Sequence, residues 1–211
     1  MSLMQVSGSK RLQSKIDQFS WYQTIDFEDG VSSSGYAWCG DPLWPSIKEY
    51  TGSLYGKRVL DLGSNAGIFC VRAALEGAEC IGIEFDLWKP EDHYAEQADF
   101  VKGYFESKEG RTLPIKYLKG KMEDILDRDL SHFDWCFAIA SIYYSSDMSH
   151  VIKRLYEICD NVLLRLRDES KIEMVCKLMN DVGFRLIATE KEDWSHLNSV
   201  SDEFHLFHYA R

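Results

Sequence analysis

Basic charge is what this chain has least of. Its 24 lysines and arginines stand against 34 aspartates and glutamates, a formal net charge of -10 over 211 residues. Such a balance argues against an unspecific grip on a phosphate backbone, while leaving room for a local basic patch. Long apolar runs are also missing. No stretch reaches about eighteen apolar residues, so no transmembrane helix is expected. The first twenty residues are polar and amphipathic, without the apolar centre of a signal peptide. The six cysteines, Cys39, Cys70, Cys80, Cys136, Cys159 and Cys176, form no C-x-x-C and no pairing with histidine at metal spacing, so no metal site is expected. Most lie inside apolar runs, where a free thiol packs as a small hydrophobe, which fits a reducing cytoplasm. Cys39, in a glycine-rich loop, reads as an ordinary loop cysteine. Repeats and low-complexity tracts are absent. So are two phosphate-binding fingerprints, G-x-G-x-x-G and G-x-x-x-x-G-K-[ST].

What is present suits one folded α/β unit: 45% apolar residues, 13% aromatic, and a length comfortable for a single core. The chain is organised around Arg58 to Ala74. Val59-Leu60-Asp61-Leu62 reads as a buried strand. Gly63-Ser64-Asn65-Ala66-Gly67 is a tight turn, and Ile68 to Leu75 suits a helix. A second apolar run, Cys80 to Ile83, closes on Glu84. Strand, glycine loop, helix, strand and acid is the order of a nucleotide-binding βαβ unit. Gly63 and Gly67 let the backbone approach a ligand closely, and the helix start points free N–H groups at it. Asp61 suits a cationic or amino group. Glu84 suits the two hydroxyls of a ribose. A ligand with an amino-acid end and a ribose but no pyrophosphate is S-adenosylmethionine.

Val59 to Glu84 resembles the class I S-adenosylmethionine-dependent methyltransferases. The resemblance implies that Asp61, Gly63, Ser64, Asn65, Gly67 and Glu84 carry cofactor binding. It further implies a Rossmann-like, seven-stranded, mostly parallel sheet with helices on both faces and a reversed last strand. Upstream, Trp21-Tyr22-x-x-Ile25, then Asp29-Gly30 and Gly35, resembles the subgroup that includes the enzymes acting on the wobble uridine of tRNA.

Taken in order, Leu12, Ile16 and Phe19 mark a first helix with a narrow apolar stripe. Trp21 to Phe27 and the loop 30–42 follow, rich in glycine, serine and aromatics. They read as a lid, with Trp21, Tyr22, Tyr36 and Trp38 as substrate-binding candidates. A short helix spans roughly Trp44 to Tyr50. This divides the chain into an N-terminal helix and lid extension, 1–50, and a methyltransferase domain, 51–211. Pro90 suits a helix start, and Tyr94, Ala98, Val101 and Phe105 mark its apolar face. Ile115 to Leu118 is the third strand, ending in the turn Gly120 to Ile125. In methyltransferases that turn covers the adenine and an acid directly follows the glycine. Here Lys121 stands in that place, leaving Met122 and Glu123 as the adenine candidates. Phe133 to Ala140 is the fourth strand, apolar enough to be central. Ala140, at its end, counts with the cofactor residues. Met148 to Ile158 is a helical face, Asn161 to Leu166 a fifth strand, and a helix ended by Gly183 follows. Phe184 to Ala188 and Glu203 to Arg211 read as an antiparallel pair at the sheet edge, with His205 and His208 as edge residues.

Methyl transfer from a sulfonium mainly needs positioning; a base is needed only if the acceptor must lose a proton. Tyr143 and Tyr144, after the fourth strand, and His93, after the second, are the catalytic candidates. The tRNA enzymes usually show histidine where Tyr144 stands, which sets this chain apart from them. Lys48, Arg165 and Arg167 read as solvated charges. Three functions follow. The first is a cytoplasmic methyltransferase acting on a small molecule, favoured by the acidic charge. The second is a tRNA wobble-uridine enzyme, a route open to a carboxylated cofactor. The third is a non-catalytic scaffold with this fold.

Overall fold

The computed structural model describes residues 3–27, 30–36, 39–85, 93–192 and 203–211. The chain opens with α1 (Leu3–Ile16), then runs through an irregular strap to a short 3-10 turn (Asp41–Leu43) and α2 (Trp44–Thr51). Pro42 and Pro45 sit in the first turns of these two elements, where a missing N–H costs nothing. Alternation follows: β1 (Arg58–Leu62), α3 (Ile68–Leu75), β2 (Glu79–Glu84), α4 (Tyr94–Glu109), β3 (Ile115–Lys119), α5 (Met122–Leu126) and β4 (Phe133–Ile139). The last part is α6 (Met148–Ile158), β5 (Cys159–Arg167), α7 (Glu169–Val182), β6 (Arg185–Glu192) and β7 (Phe204–Ala210). The turn expected at Gly120 to Ile125 is thus partly a short helix. The helix start expected at Pro90 lies outside the described residues.

One seven-stranded sheet has the order β3-β2-β1-β4-β5-β7-β6. The first five strands are parallel, and β7 runs antiparallel to both β5 and β6. The order turns at β1 and β4, the switch point where open α/β sheets bind ligands beyond their strand ends. Strand alternation sorts the core into two layers. Val59, Cys80, Trp135 and Leu163 pack with α3, α4 and the N-terminal strap; Leu60, Ile81, Cys136 and Leu164 pack with α5, α6 and α7.

The expected antiparallel pair of last strands stands at the sheet edge, but His205 and His208 are not on the edge strand itself. The reversed strand β7 is interior, and β6 forms the edge. The physical reason is burial: β7 buries Phe204, Leu206, Phe207 and Tyr209, while β6 is mostly exposed and carries Arg185, Glu190, Lys191 and Glu192. Charges on an edge strand discourage pairing with another chain. His208 is therefore covered: its Nε2 lies 3.0 Å from Asn161 Oδ1, its ring packs on Trp135, and burial lowers its pKa. His205 stacks on Phe207. Among the described residues no helix is long and apolar enough to cross a membrane.

Candidate active site

The glycine loop leaves β1 through a chain of backbone bonds. The N–H groups of Gly63 and Ser64 both donate to the Ile83 carbonyl, at 2.8 and 3.0 Å, and Gly67 N–H donates to Ser64 O at 2.8 Å. Gly63 and Gly67 have φ of 72° and 76°, the left-handed region that glycine enters without strain. Space makes the same demand. A Cβ on Gly63 would lie 2.5 Å from Ser141 Cβ, and one on Gly67 would collide with the Tyr117 hydroxyl. Asn65 also sits at positive φ, 50°, and its Oδ1 accepts the Ala66 N–H at 2.9 Å.

Glu84 ties this loop to the second strand. Its Oε2 accepts the Asn65 N–H at 2.5 Å and its Oε1 the Phe85 N–H at 2.7 Å. A carboxylate offers about four acceptor sites, so two backbone bonds do not exhaust it. Asp61 lies deeper. It is 1% exposed and accepts from the Cys70 thiol at 3.6 Å.

On the far side, β4 ends at Ala140, a left-handed residue (φ 55°) whose N–H donates to Arg165 O at 2.9 Å. The turn delivers buried Ser141, whose Oγ has no hydrogen-bond partner among the described residues. A short 3-10 turn (Ile142–Tyr144) follows. Glu123 anchors the next residues. Its Oε1 accepts from Ser145 Oγ (2.6 Å), Ser146 N (2.6 Å), Ser146 Oγ (2.9 Å) and Asp147 N (3.0 Å). Burial pushes the Glu123 carboxyl up, but these bonds and the start of its own helix outweigh it and hold it at about 2.

These elements enclose a cavity of about 410 Å³. Gly63, Asn65, Glu84, Met122, Glu123 and Ala140 line it, and so do Tyr22, Gln23, Cys39 and Tyr144, three of them from the strap. Burial raises the Tyr22 phenol and the Cys39 thiol well above their ordinary values. Buried Gln23 has an Oε1 without a partner among the described residues.

Other expected site residues stand elsewhere. Ser64 is buried behind the loop, and Gly67 faces Tyr117. Tyr143 packs beside Tyr144 under Lys171 and does not line the cavity; burial raises its phenol to about 12. His93 stands at the N-cap of α4 at φ 53° with Nδ1 3.5 Å from Glu96, is more than half exposed and is not among the residues that line the cavity. Trp21 is a core residue whose Nε1–H donates to Ile16 O at 2.8 Å. Tyr36 is half exposed and packs edge-on against Tyr22. Trp38 lies outside the described residues. Arg165 is a further correction: it is fully buried, paired with Glu192 and stacked 3.7 Å over the Phe204 ring. Sequence reasoning missed Gln23, Phe85, Tyr94 and Ser141 on the cavity wall and gave Cys39 no part in it. The one local signal was the glycine-rich setting of Cys39.

No protein-family model matches the chain. Among solved structures, a magnesium protoporphyrin IX methyltransferase from Synechocystis with bound S-adenosylmethionine superposes at a TM-score of 0.59. The identity is 14%, over 79% of this chain and 75% of that one. An S-adenosylmethionine-dependent methyltransferase from Mesorhizobium loti gives 0.60 at 13%, covering 83% of this chain and all of the other. The fold is that of the S-adenosylmethionine-dependent methyltransferases. A [4+2]-cyclase shares this methyltransferase fold at a TM-score of 0.64 and 13% identity, over 96% and 92% of the two chains, so the fold alone does not decide the reaction. By sequence, the chain is similar to the tRNA U34 carboxymethyltransferase of Alcanivorax borkumensis, 28% identical over 124 residues. That match covers 58% of this chain and 35% of the relative. The enzyme of the same name from Marinobacter nauticus is 31% identical over 118 residues, 55% of this chain and 32% of that one. The matched segment is thus about a third of the length of those relatives.

Proposed function

We propose that the chain is an S-adenosylmethionine-dependent methyltransferase that transfers a methyl group to a small-molecule acceptor by in-line displacement. The observation that carries this reading is the bond from Asn65 N–H to Glu84, which fixes the glycine loop against an acid at the cavity wall. The residues present fit the cofactor. Gly63 brings glycine backbone to the cavity wall, Glu84 presents a carboxylate there, a group suited to ribose hydroxyls, and the Ser141 hydroxyl is buried on the wall with no partner among the described residues. Met122 provides an apolar surface for the adenine ring. Glu123 Oε1 takes four donors from residues 145–147, so in this reading Glu123 also positions the loop that carries Tyr144.

The bound cofactor supplies an electrophilic methyl group whose leaving group is a neutral thioether. The protein then has to hold an acceptor in line with that methyl. Tyr22, Gln23, Cys39 and Tyr144 form the wall suited to that task. In this reading residues 1–50 are an N-terminal helix and lid extension on the methyltransferase domain formed by 51–211. The acidic balance of the chain and the enclosure of the cavity by the strap both favour a small acceptor.

A second reading, a tRNA wobble-uridine enzyme, is favoured by the names of the sequence relatives. One experiment separates the two. The protein is incubated with methyl-labelled cofactor and either a small-metabolite fraction or total tRNA. Label in the metabolite fraction supports the first reading. Label in tRNA, with binding that falls steeply as salt rises, supports the second.

A further inference from the structure

We propose that Gln23 is a specificity-determining residue that holds an amine: its side-chain carbonyl takes a hydrogen bond from an N–H of the acceptor and turns the nitrogen lone pair toward the methyl group. The proposal rests on the methyltransferase reading above and names the acceptor class, a neutral amine.

The first observation is a polar atom left over on the cavity wall. Gln23 is 4% exposed and lines the cavity, and its Oε1 has no hydrogen-bond partner among the described residues. A buried acceptor without a donor is costly, and a ligand N–H removes that cost. The backbone cannot carry the amide elsewhere, because the strap holds it on both sides. Gln23 O accepts from Ser33 Oγ at 2.7 Å, Tyr22 O accepts the Tyr36 N–H at 2.8 Å, and the Thr24 N–H donates to Tyr36 O at 3.3 Å. Gly35 packs so closely that a Cβ there would lie 2.3 Å from the Gln23 carbonyl carbon. The side chain therefore starts from a fixed point, which is what orienting a nucleophile requires.

The second observation is the company Gln23 keeps. An alcohol reacts well only when a base takes its proton, whereas a neutral amine already offers a lone pair. Among the described residues no histidine lines the cavity. Burial holds the protons on Tyr22 and Cys39, and Glu123, at about 2, is a weak base. The wall suits the positive charge that an amine acquires. Its charged groups among the described residues are Glu84 and Glu123 against Lys121, and it carries the phenol rings of Tyr22 and Tyr144. Aromatic rings and carboxylates both favour a neighbouring cation.

The step balances without a further reactant. The nitrogen lone pair forms the new N–C bond. The electron pair of the breaking C–S bond stays on sulfur, which becomes a thioether. The positive charge moves to the nitrogen, and that nitrogen loses a proton to water after release. Gln23 exchanges no proton; it receives the N–H throughout.

Two measurements on wild type and Gln23→Leu test this. The first is calorimetric titration with S-adenosylmethionine, and the second is incubation with methyl-labelled cofactor and a small-metabolite fraction. The expected result is a labelled methyl on nitrogen in the wild-type product, read from its carbon chemical shift. Gln23→Leu should keep the cofactor affinity and label more slowly by about tenfold or more, the scale of one buried hydrogen bond. A methyl found on oxygen, sulfur or carbon overturns the proposal in the wild type alone, whether or not the variant folds. A folded Gln23→Leu protein that labels as fast as wild type also overturns it. So does one that loses cofactor affinity in step with its rate, because Gln23 then serves the cofactor. In each of these cases the cofactor still binds the wild type and the methyltransferase reading stands; no binding to the wild type defeats both.

Discussion

The Glu84 carboxylate and the Asn65 backbone meet at 2.5 Å, joining the end of β2 to the turn that leaves β1. The acid therefore does two jobs. It holds the left-handed loop in place and also lines the cavity.

Gly67 tests how tightly the loop is built. Gly67→Ala places a Cβ in left-handed backbone and against the Tyr117 hydroxyl. The backbone cost alone is about 1–2 kcal/mol, which lowers Tm by about 2–8 °C for a chain of this size. Thermal unfolding followed by circular dichroism checks it. An unchanged Tm would mean that the loop tolerates a different backbone.

The strap has its own anchor. Asp41 accepts from Arg72 Nε at 2.5 Å and Nη2 at 2.7 Å, and from the Asp26 N–H at 2.7 Å, while the guanidinium lies over the Phe105 ring. Asp41 is nearly buried. Arg72→Met leaves that carboxylate without its cation and should destabilise by about 3 kcal/mol, the low end for breaking a buried pair. Urea unfolding measures it. A loss below about 1 kcal/mol would put the pair in the class of weak surface bridges.

Glu123 gives a pH prediction. Its folded-state carboxyl, at about 2, lies below the ordinary carboxylate value, so its contribution to stability is present above about pH 4.5 and is lost as pH falls toward 2. Wild type should lose its advantage over Glu123→Gln across that interval. Parallel stability curves for the two proteins from pH 5 to pH 2 would contradict it.

The centre of the molecule was legible in the sequence because its signals are local. An apolar run, two glycines at fixed spacing and a closing acid have one economical arrangement, and Val59 to Glu84 adopt it. The strap was not legible in the same way. Gln23 and Cys39 reach the cavity because the chain doubles back on itself, with Gly35 against the Gln23 backbone and Gly40 against that of Thr24. That is a contact across many residues, and no window of sequence contains it. Trp21 shows the complementary failure. An aromatic residue in a presumed lid says nothing about which way it faces, and this one faces the core. The place of β7 was readable in principle from its apolar content beside the charged β6, but pairing order rather than strand identity was at issue.

The most direct test of the central claim is calorimetric titration of the wild type and of Glu84→Ala with S-adenosylmethionine. The account predicts micromolar binding to the wild type and a loss of about tenfold or more in the variant, the scale of one hydrogen bond to a charged group. Equal affinity in the two proteins would contradict the role given to Glu84. No binding to either would remove the methyltransferase reading and leave a scaffold with this fold.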